Sequence, residues 1–273
     1  MRNTKTAELV LTALFAAIII IMAFTPLGYI PLVVINATII HIPVILGALF
    51  CGPKKGGFLG FIFGLTSFIK NTVMPSSLSA FVFSPVLAAS MVGTSGIFKS
   101  AFICFVPRIL VGILPYYVYL GVRKAVTSEN KKIWSTVLNV LIGVFLLVGC
   151  RAFINKVFDV NPLSTGAVWA ISVIVGVVVF AALEVFTLKK SGSVSAFIYA
   201  GVVGAMTNTI LVMGGIFVLY KNAYADALSI DPGAVLGVIG GVISFNGVIE
   251  AIVAAIIVAA LGVALNKIKP IQK

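Results

Sequence analysis

Long apolar runs, separated by short polar or basic stretches, follow one another along almost the whole chain. A helix needs about 20 mainly apolar residues to cross the hydrocarbon core of a membrane. By that rule the pattern predicts an all-α, polytopic transmembrane bundle of about eight spans, at residues 7–24, 36–50, 56–70, 98–122, 133–150, 166–188, 194–220 and 233–265. The second and third spans are short, so we expect them to be tilted, extended or sheltered by neighbouring helices.

Composition supports this class and excludes a soluble domain. Hydrophobic residues make up 61% of the 273 residues and charged residues 10%, whereas soluble chains are about 25% charged. The net charge of +12 does not indicate nucleic acid binding, because 13 of the 19 Lys and Arg residues flank alternate spans. By the positive-inside rule this distribution places both termini in the cytosol. Residues 1–6 lead into the first span without a polar cleavage region, so we expect a retained span and not a removable signal.

Motifs of catalysis and of metal binding are missing from the sequence. It contains no HExxH or GxSxG segment and no Walker loop. Cys51, Cys104 and Cys150 show neither CxxC nor paired His spacing, so neither a metal site nor a disulfide framework is indicated. We therefore expect a protein that is not an enzyme and carries no cofactor.

Residues 36–71 form two apolar helical stretches joined by a basic turn that contains Lys54 and Lys55. Side chains that form hydrogen bonds gather at the end away from that turn, which favours a site for a polar molecule near one membrane face. The candidate residues of this group are Asn36, Thr38, His41, Thr66 and Asn71. For His41 a satisfied structural role is the alternative.

Two long connections, at 25–35 and 71–97, emerge beside this polar end. Their aromatic residues Tyr29, Phe81 and Phe83 could cover the apolar body of a ligand, which would make the connections lids. Alternatively, they lie in the headgroup region, where aromatic residues are common.

Polar residues at membrane depth are costly and each needs a partner, which is either protein or ligand. Arg108 lies about ten residues into its span, and its guanidinium could clamp a substrate carboxylate with two parallel hydrogen bonds. A structural ion pair with Glu250 is an equally strong interpretation. Asn208 and Asn246 could join the same polar layer or form interhelical hydrogen bonds that only hold helices together.

Small residues at intervals of four let helices approach closely. Ala13 and Ala17 are spaced in this way on the first span, and Gly56, Gly60 and Gly64 on the third. For the glycines we favour internal packing of the third helix against a neighbour.

The segment 127–190 differs from its surroundings, because it holds two Val-, Ile- and Leu-rich spans bracketed by basic clusters. We interpret it as an inserted transmembrane hairpin between a first part of the core, 1–126, and a second part, 191–273. The hairpin either faces lipid or belongs to the core bundle, and Glu184 near a span end either reaches water or faces a neighbouring helix.

Several segments together resemble the substrate-binding S component of energy-coupling factor (ECF) vitamin transporters, and most of all its pantothenate-type members. The resemblance covers residues 6–122 and 194–265. It is carried by TALFAA at 12–17, LGYIP at 27–31, NATIIHIPVILGA at 36–48, GPK at 52–54, FGLTS at 63–67, FVPRIL at 105–110, TNT at 207–209 and FNGVIE at 245–250. Six helices are typical of that family, so the inserted hairpin is a departure that puts the subgroup and the substrate in doubt.

The resemblance implies a specificity subunit of an ATP-driven importer in the bacterial plasma membrane. Such a subunit captures a vitamin at the outer face and docks on a transmembrane coupling subunit with two cytoplasmic ATPases. In the family an AxxxA pattern on the first helix contacts the coupling subunit, which assigns Ala13 and Ala17 to docking. The expected substrate is pantothenate. Riboflavin, folate or another vitamin, and an ion-coupled secondary transporter, remain as alternatives.

Overall fold

A computed structural model describes residues 4–31, 36–158, 163–189, 192–268 and 271. Most of these residues are helical. The helices are α1 (Thr4–Phe24), α2 (His41–Cys51), α3 (Pro53–Val73), α4 (Pro85–Val92), α5 (Ser95–Val111), α6 (Leu114–Val126), α7 (Lys131–Val157), α8 (Thr165–Lys189), α9 (Gly192–Leu228), α10 (Val235–Val242) and α11 (Val248–Ile268).

Within the described ranges, six stretches are long and apolar enough to cross a membrane. They are Thr6–Phe24, Ser95–Val126, Lys131–Asn155, Thr165–Val185, Ser193–Leu228 and Pro232–Ile268. This confirms the polytopic helical bundle of a multi-pass membrane protein. The count of eight spans stays a prediction, because α2 has only 11 residues and α3 is not among these six stretches. The position of the termini stays a prediction as well.

Helix α2 is short but enclosed by the bundle. Ten of its 11 residues are buried, and Phe50 stacks on Phe197 of α9 with ring centroids 6.2 Å apart. At about 1.5 Å per residue, a helix of this length cannot cross the hydrocarbon by itself. Its neighbours shelter it from lipid, as we expected for a short span.

The glycine stripe of α3 packs directly against the backbone of α5. A Cβ atom on Gly56 would lie 2.0 Å from the carbonyl oxygen of Gly112, and one on Gly60 would lie 2.1 Å from that of Arg108. On Gly64 it would lie 2.5 Å from the Cys104 oxygen. No side chain fits at these distances, so the prediction that these glycines serve internal packing is confirmed.

We therefore expect Gly60→Ala to lower the free energy of unfolding by about 1–3 kcal/mol, because the added methyl group forces α3 away from α5. The measurement is thermal unfolding in detergent. Gly214→Ala in α9 is the matched control, since open space surrounds that glycine and alanine favours a helix by about 0.5–1 kcal/mol. Equal stability of the two variants would contradict the backbone contact.

The two helices of the inserted segment differ in their surroundings. Helix α7 packs on the core, where Phe153 stacks on Phe245 at 5.3 Å and the Tyr199 hydroxyl donates to the Leu138 carbonyl. Helix α8 packs chiefly against α7 and leaves side chains such as Ile174 and Val177 exposed. Helix α7 thus belongs to the packed bundle, and the exposed apolar surface of α8 is compatible with lipid contact, which stays a prediction.

Glu184 of α8 faces its neighbour in the hairpin. Thr136 Oγ1 donates to its carboxylate at 2.6 Å and Asn139 Nδ2 donates at 2.7 Å. These charge-assisted hydrogen bonds join α7 and α8 near the basic ends of both helices.

The two long connections are folded and not open loops. The first contains strand β1 (Tyr29–Pro31), which pairs antiparallel with β2 (Asn36–Thr38) so that Tyr29 lies opposite Thr38. Strand β2 occupies the start of the predicted span 36–50, and helix α2 begins only at His41. The second connection contains a 3₁₀ helix, Leu78–Phe83, followed by α4. The short strands are a departure from the all-α prediction.

Candidate functional site

A cavity of about 410 Å³ lies toward the C-terminal end of α3, away from the basic first turn of that helix. Helices α3, α5, α9 and α11, strand β2 and the segment after α3 supply its walls. Its charged and amide side chains are Lys70, Arg108, Glu250, Asn71, Asn208 and Asn246. Its hydroxyl groups come from Thr38, Thr66, Ser67, Ser76, Ser77, Ser79 and Thr209.

The structure brings most of the predicted site residues together. The cavity is lined by Thr38, Thr66, Asn71, Phe83, Arg108, Asn208 and Asn246. Their helical spacing explains this convergence. On α3, residues 63, 66, 67 and 70 fall on one face, and residues 242, 246 and 250 follow one another at intervals of four.

Our sequence prediction missed several lining residues. Lys70 lies one turn after Thr66 and Ser67 on the same face of α3, so the helical spacing was an available signal. Ser76, Ser77 and Ser79 line the cavity because the segment after α3 folds back over it. No periodic pattern in the sequence indicates that return.

Arg108 is buried, with 5% of its surface exposed, and Pro107 before it creates a hydrogen-bond acceptor for its side chain. Pro107 has no N–H group, which leaves the Ile103 carbonyl without its usual helical donor. Arg108 Nη1 donates to that carbonyl. The guanidinium carbon also lies 5.1 Å from the ring centroid of Phe83 and 5.5 Å from that of Phe63, within cation–π range.

The segment that carries Phe83 is fixed to α5. Cys104 Sγ donates to the Phe83 carbonyl at 3.3 Å, and Ser100 Oγ donates to the Ser84 carbonyl at 3.2 Å. Phe83 is thereby held beside Arg108. Phe81 does not cover the cavity as we had suggested, because it is buried against Tyr220 with ring centroids 5.5 Å apart.

Glu250 is 7% exposed and binds other groups than Arg108. Its Oε1 accepts from the Thr38 backbone N–H at 2.9 Å, and its Oε2 accepts from Thr209 Oγ1 at 3.1 Å. Within the described ranges no ion pair joins Arg108 to Glu250. The structural ion pair with Glu250, which was one of the two interpretations of Arg108, is therefore not formed among the described residues.

Asn208 has a buried acceptor that lacks a donor. Its side chain lines the cavity, and its Oδ1 makes no hydrogen bond among the described residues. A buried amide oxygen without a partner is destabilising, so a donor from a bound molecule would satisfy it.

His41 is a predicted site residue that the structure does not bring to the cavity. His41 is fully buried in the first turn of α2, and neither ring nitrogen has a hydrogen-bond partner in the described part of the chain. It is not among the lining residues. Asn36 begins β2, but its side chain lies outside the described residues, as does that of Tyr29.

Ala13 and Ala17 lie on the exposed side of α1, apart from the cavity. The opposite side of this helix packs into the core through Phe15 and Ile19. Large apolar side chains such as Leu14 and Ile21 continue the exposed face.

A bundle of membrane-length helices around a polar cavity with a buried cation defines a membrane protein with a candidate site for a small polar molecule. Residues 7–262 match the family model of the ECF transporter, substrate-specific component, and the chain belongs to that family. This confirms the resemblance seen in the sequence, and the protein is a vitamin-specific transporter subunit of the cell membrane.

Two relatives carry a more specific name. The chain is 36% identical over 161 residues to the pantothenic acid transporter PanT of Lactococcus lactis subsp. cremoris, covering 55% of this chain and 78% of the relative. It is 33% identical over 162 residues to the pantothenate transporter PanT of Leuconostoc mesenteroides subsp. mesenteroides, covering 58% of this chain and 68% of that relative.

Proposed function

We propose that this protein captures pantothenate at the outer face of the membrane and delivers it by docking on a coupling subunit driven by two cytoplasmic ATPases. The observation that carries the proposal is the buried guanidinium of Arg108 in a cavity that is also lined by several amides and hydroxyls. Pantothenate presents a carboxylate, an amide and hydroxyl groups, and each has a counterpart among these side chains.

The carboxylate is the group with the strongest requirement. A guanidinium binds a carboxylate through two parallel, charge-assisted hydrogen bonds, which an apolar or neutral site cannot replace. Lys70 adds a second cation to the cavity wall. We assign the carboxylate of the vitamin to Arg108, with Lys70 attracting the same negative charge.

The remaining polar groups suit the opposite wall. The Asn208 amide oxygen accepts from an amide N–H or a hydroxyl of the guest. Asn246, in the turn before α11, lines the same cavity and offers a second amide. Thr66 and Asn71 supply further hydrogen-bonding groups from α3, while Phe83 packs against the apolar body. The names of the two relatives also support pantothenate as the substrate.

Docking is assigned to the exposed face of α1. Ala13 and Ala17 have small side chains on that face, and such spacing lets another helix approach to backbone distance. Energy for transport comes from the partner chains in this proposal, since the sequence lacks a Walker loop.

Uptake into proteoliposomes tests the proposal. We expect uptake of radiolabelled pantothenate when this chain is reconstituted with its coupling and ATPase subunits and ATP, and none with this chain alone. Uptake by the chain alone under an ion gradient would contradict the mechanism and favour a secondary transporter. Native mass spectrometry of the purified protein tests the substrate, and a copurifying riboflavin or folate would contradict pantothenate.

A further inference from the structure

Glu250 connects three elements of the cavity wall that are distant in sequence. It belongs to α11, its Oε1 accepts from the backbone N–H of Thr38 in β2, and its Oε2 accepts from Thr209 of α9. The carboxylate is almost completely buried. Because a buried acceptor is costly to leave unpaired, both hydrogen bonds favour the same arrangement of strand and helices.

The other backbone hydrogen bonds described for strand β2 and the residue after it are local. The strand pairs with β1, and after it Ile39 N–H donates to the Gly28 carbonyl at 3.0 Å, so these hydrogen bonds stay within the same connection. The bond to Glu250 instead joins β2 to the helices across the cavity. Thr38 and Glu250 both line that cavity, so the bond lies in the wall itself.

The local backbone brings Glu250 and Thr209 together. Residues Ile243–Gly247 form a π-helical turn before α11, and such turns often occur at functional sites. A Cβ atom on Gly247 would lie 3.0 Å from the Thr209 side chain. The glycine therefore lets α11 approach α9 closely enough for the Glu250 carboxylate to accept from Thr209.

We propose that Glu250 is a positioning residue that fastens β2 to the cavity wall and so sets how long a bound guest stays in the cavity. The acceptor for the backbone N–H is the essential feature, so an amide can replace the carboxylate. The effect on the guest rests on the function proposed above. The attachment of β2 does not, and it is measurable in the empty protein.

Hydrogen exchange of the purified protein without substrate tests the attachment. Glu250→Leu keeps the side-chain volume and removes the acceptor. We expect the Thr38 amide to exchange about tenfold faster or more, because the hydrogen bond that protects it has lost its acceptor. Mass spectrometry with fragmentation to single residues measures this rate, and amides in α6 provide an internal reference.

Glu250→Gln is the matched control. Its Oε1 accepts from Thr38 and its Nε2 donates to Thr209, so we expect protection of the Thr38 amide close to that of the wild type. Thr209→Val is a milder variant for the case that Glu250→Leu does not fold. It removes the second donor of the carboxylate and should raise the Thr38 exchange rate by a smaller factor. Unchanged exchange at Thr38 in Glu250→Leu, or in Thr209→Val if only that variant folds, would overturn the attachment.

The dissociation rate of radiolabelled pantothenate tests the consequence. We expect faster release from Glu250→Leu and near wild-type release from Glu250→Gln. Faster exchange at Thr38 with unchanged release would overturn the role in retention. If the wild type binds no pantothenate, the substrate assignment fails while the exchange result still decides the attachment.

Discussion

Arg108→Ala is expected to weaken pantothenate binding by about a hundredfold or more. Removing one partner of a buried, hydrogen-bonded charge pair costs about 2–5 kcal/mol, and each 1.4 kcal/mol is a factor of ten. Arg108 is buried in the cavity wall beside Phe63 and Phe83, where its guanidinium is the proposed partner of the guest carboxylate. Isothermal titration calorimetry of the purified protein measures the loss.

A change in the ligand separates binding from folding. Pantothenol has an alcohol in place of the carboxylate, so the wild type should bind it weakly, and Arg108→Ala should bind both molecules alike. Arg151→Ala removes the same charge outside the cavity, where Arg151 lies 4.3 Å from the Trp169 ring, and should bind normally. Unchanged pantothenate affinity in Arg108→Ala, with reduced thermal stability, would make Arg108 a structural residue.

Ala13→Trp is expected to abolish ATP-dependent uptake while leaving pantothenate affinity unchanged. Ala13 is exposed on α1 and does not line the cavity, so the guest does not meet the new side chain. An indole at this position prevents another helix from approaching to the distance that small residues allow. Binding to the isolated protein and uptake with the partner subunits are measured on the same preparation.

Ala182→Trp is the matched control for this experiment. Ala182 is exposed on α8, which packs chiefly against α7 and not against α1, so the same substitution there should leave uptake intact. Ala17→Trp should behave as Ala13→Trp does. Normal uptake by Ala13→Trp would reject the docking assignment, and loss of binding would show that the substitution disturbs the bundle.

Buried polarity explains how much of the site the sequence could predict. Polar side chains are expensive inside a membrane, so Arg108, Asn208 and Asn246 stood out in apolar spans and were expected to meet. They line one cavity. The bond from Thr38 to Glu250 could not be predicted in this way, because its donor is a backbone N–H group, which every residue except proline carries.

The limits of the span prediction have a related cause. The length rule treats every apolar run as though lipid surrounded it, whereas α2 is enclosed by protein on nearly all sides. The rule therefore identified an apolar helix without revealing that it is only 11 residues long. Likewise, residues 71–97 read as a connection, although tertiary contacts with α5 fold it into helical segments.

The direct backbone contact between α3 and α5 also restricts how the specificity of this protein can change. Larger side chains at Gly56, Gly60 or Gly64 would separate the two helices that carry Thr66 and Arg108. Helix α9 and the π-helical turn offer more freedom, since Asn208, Met213 and Asn246 are only partly enclosed. Selection for a new vitamin should therefore accumulate substitutions in α9 and the π-helical turn, and leave the glycines between α3 and α5 unchanged.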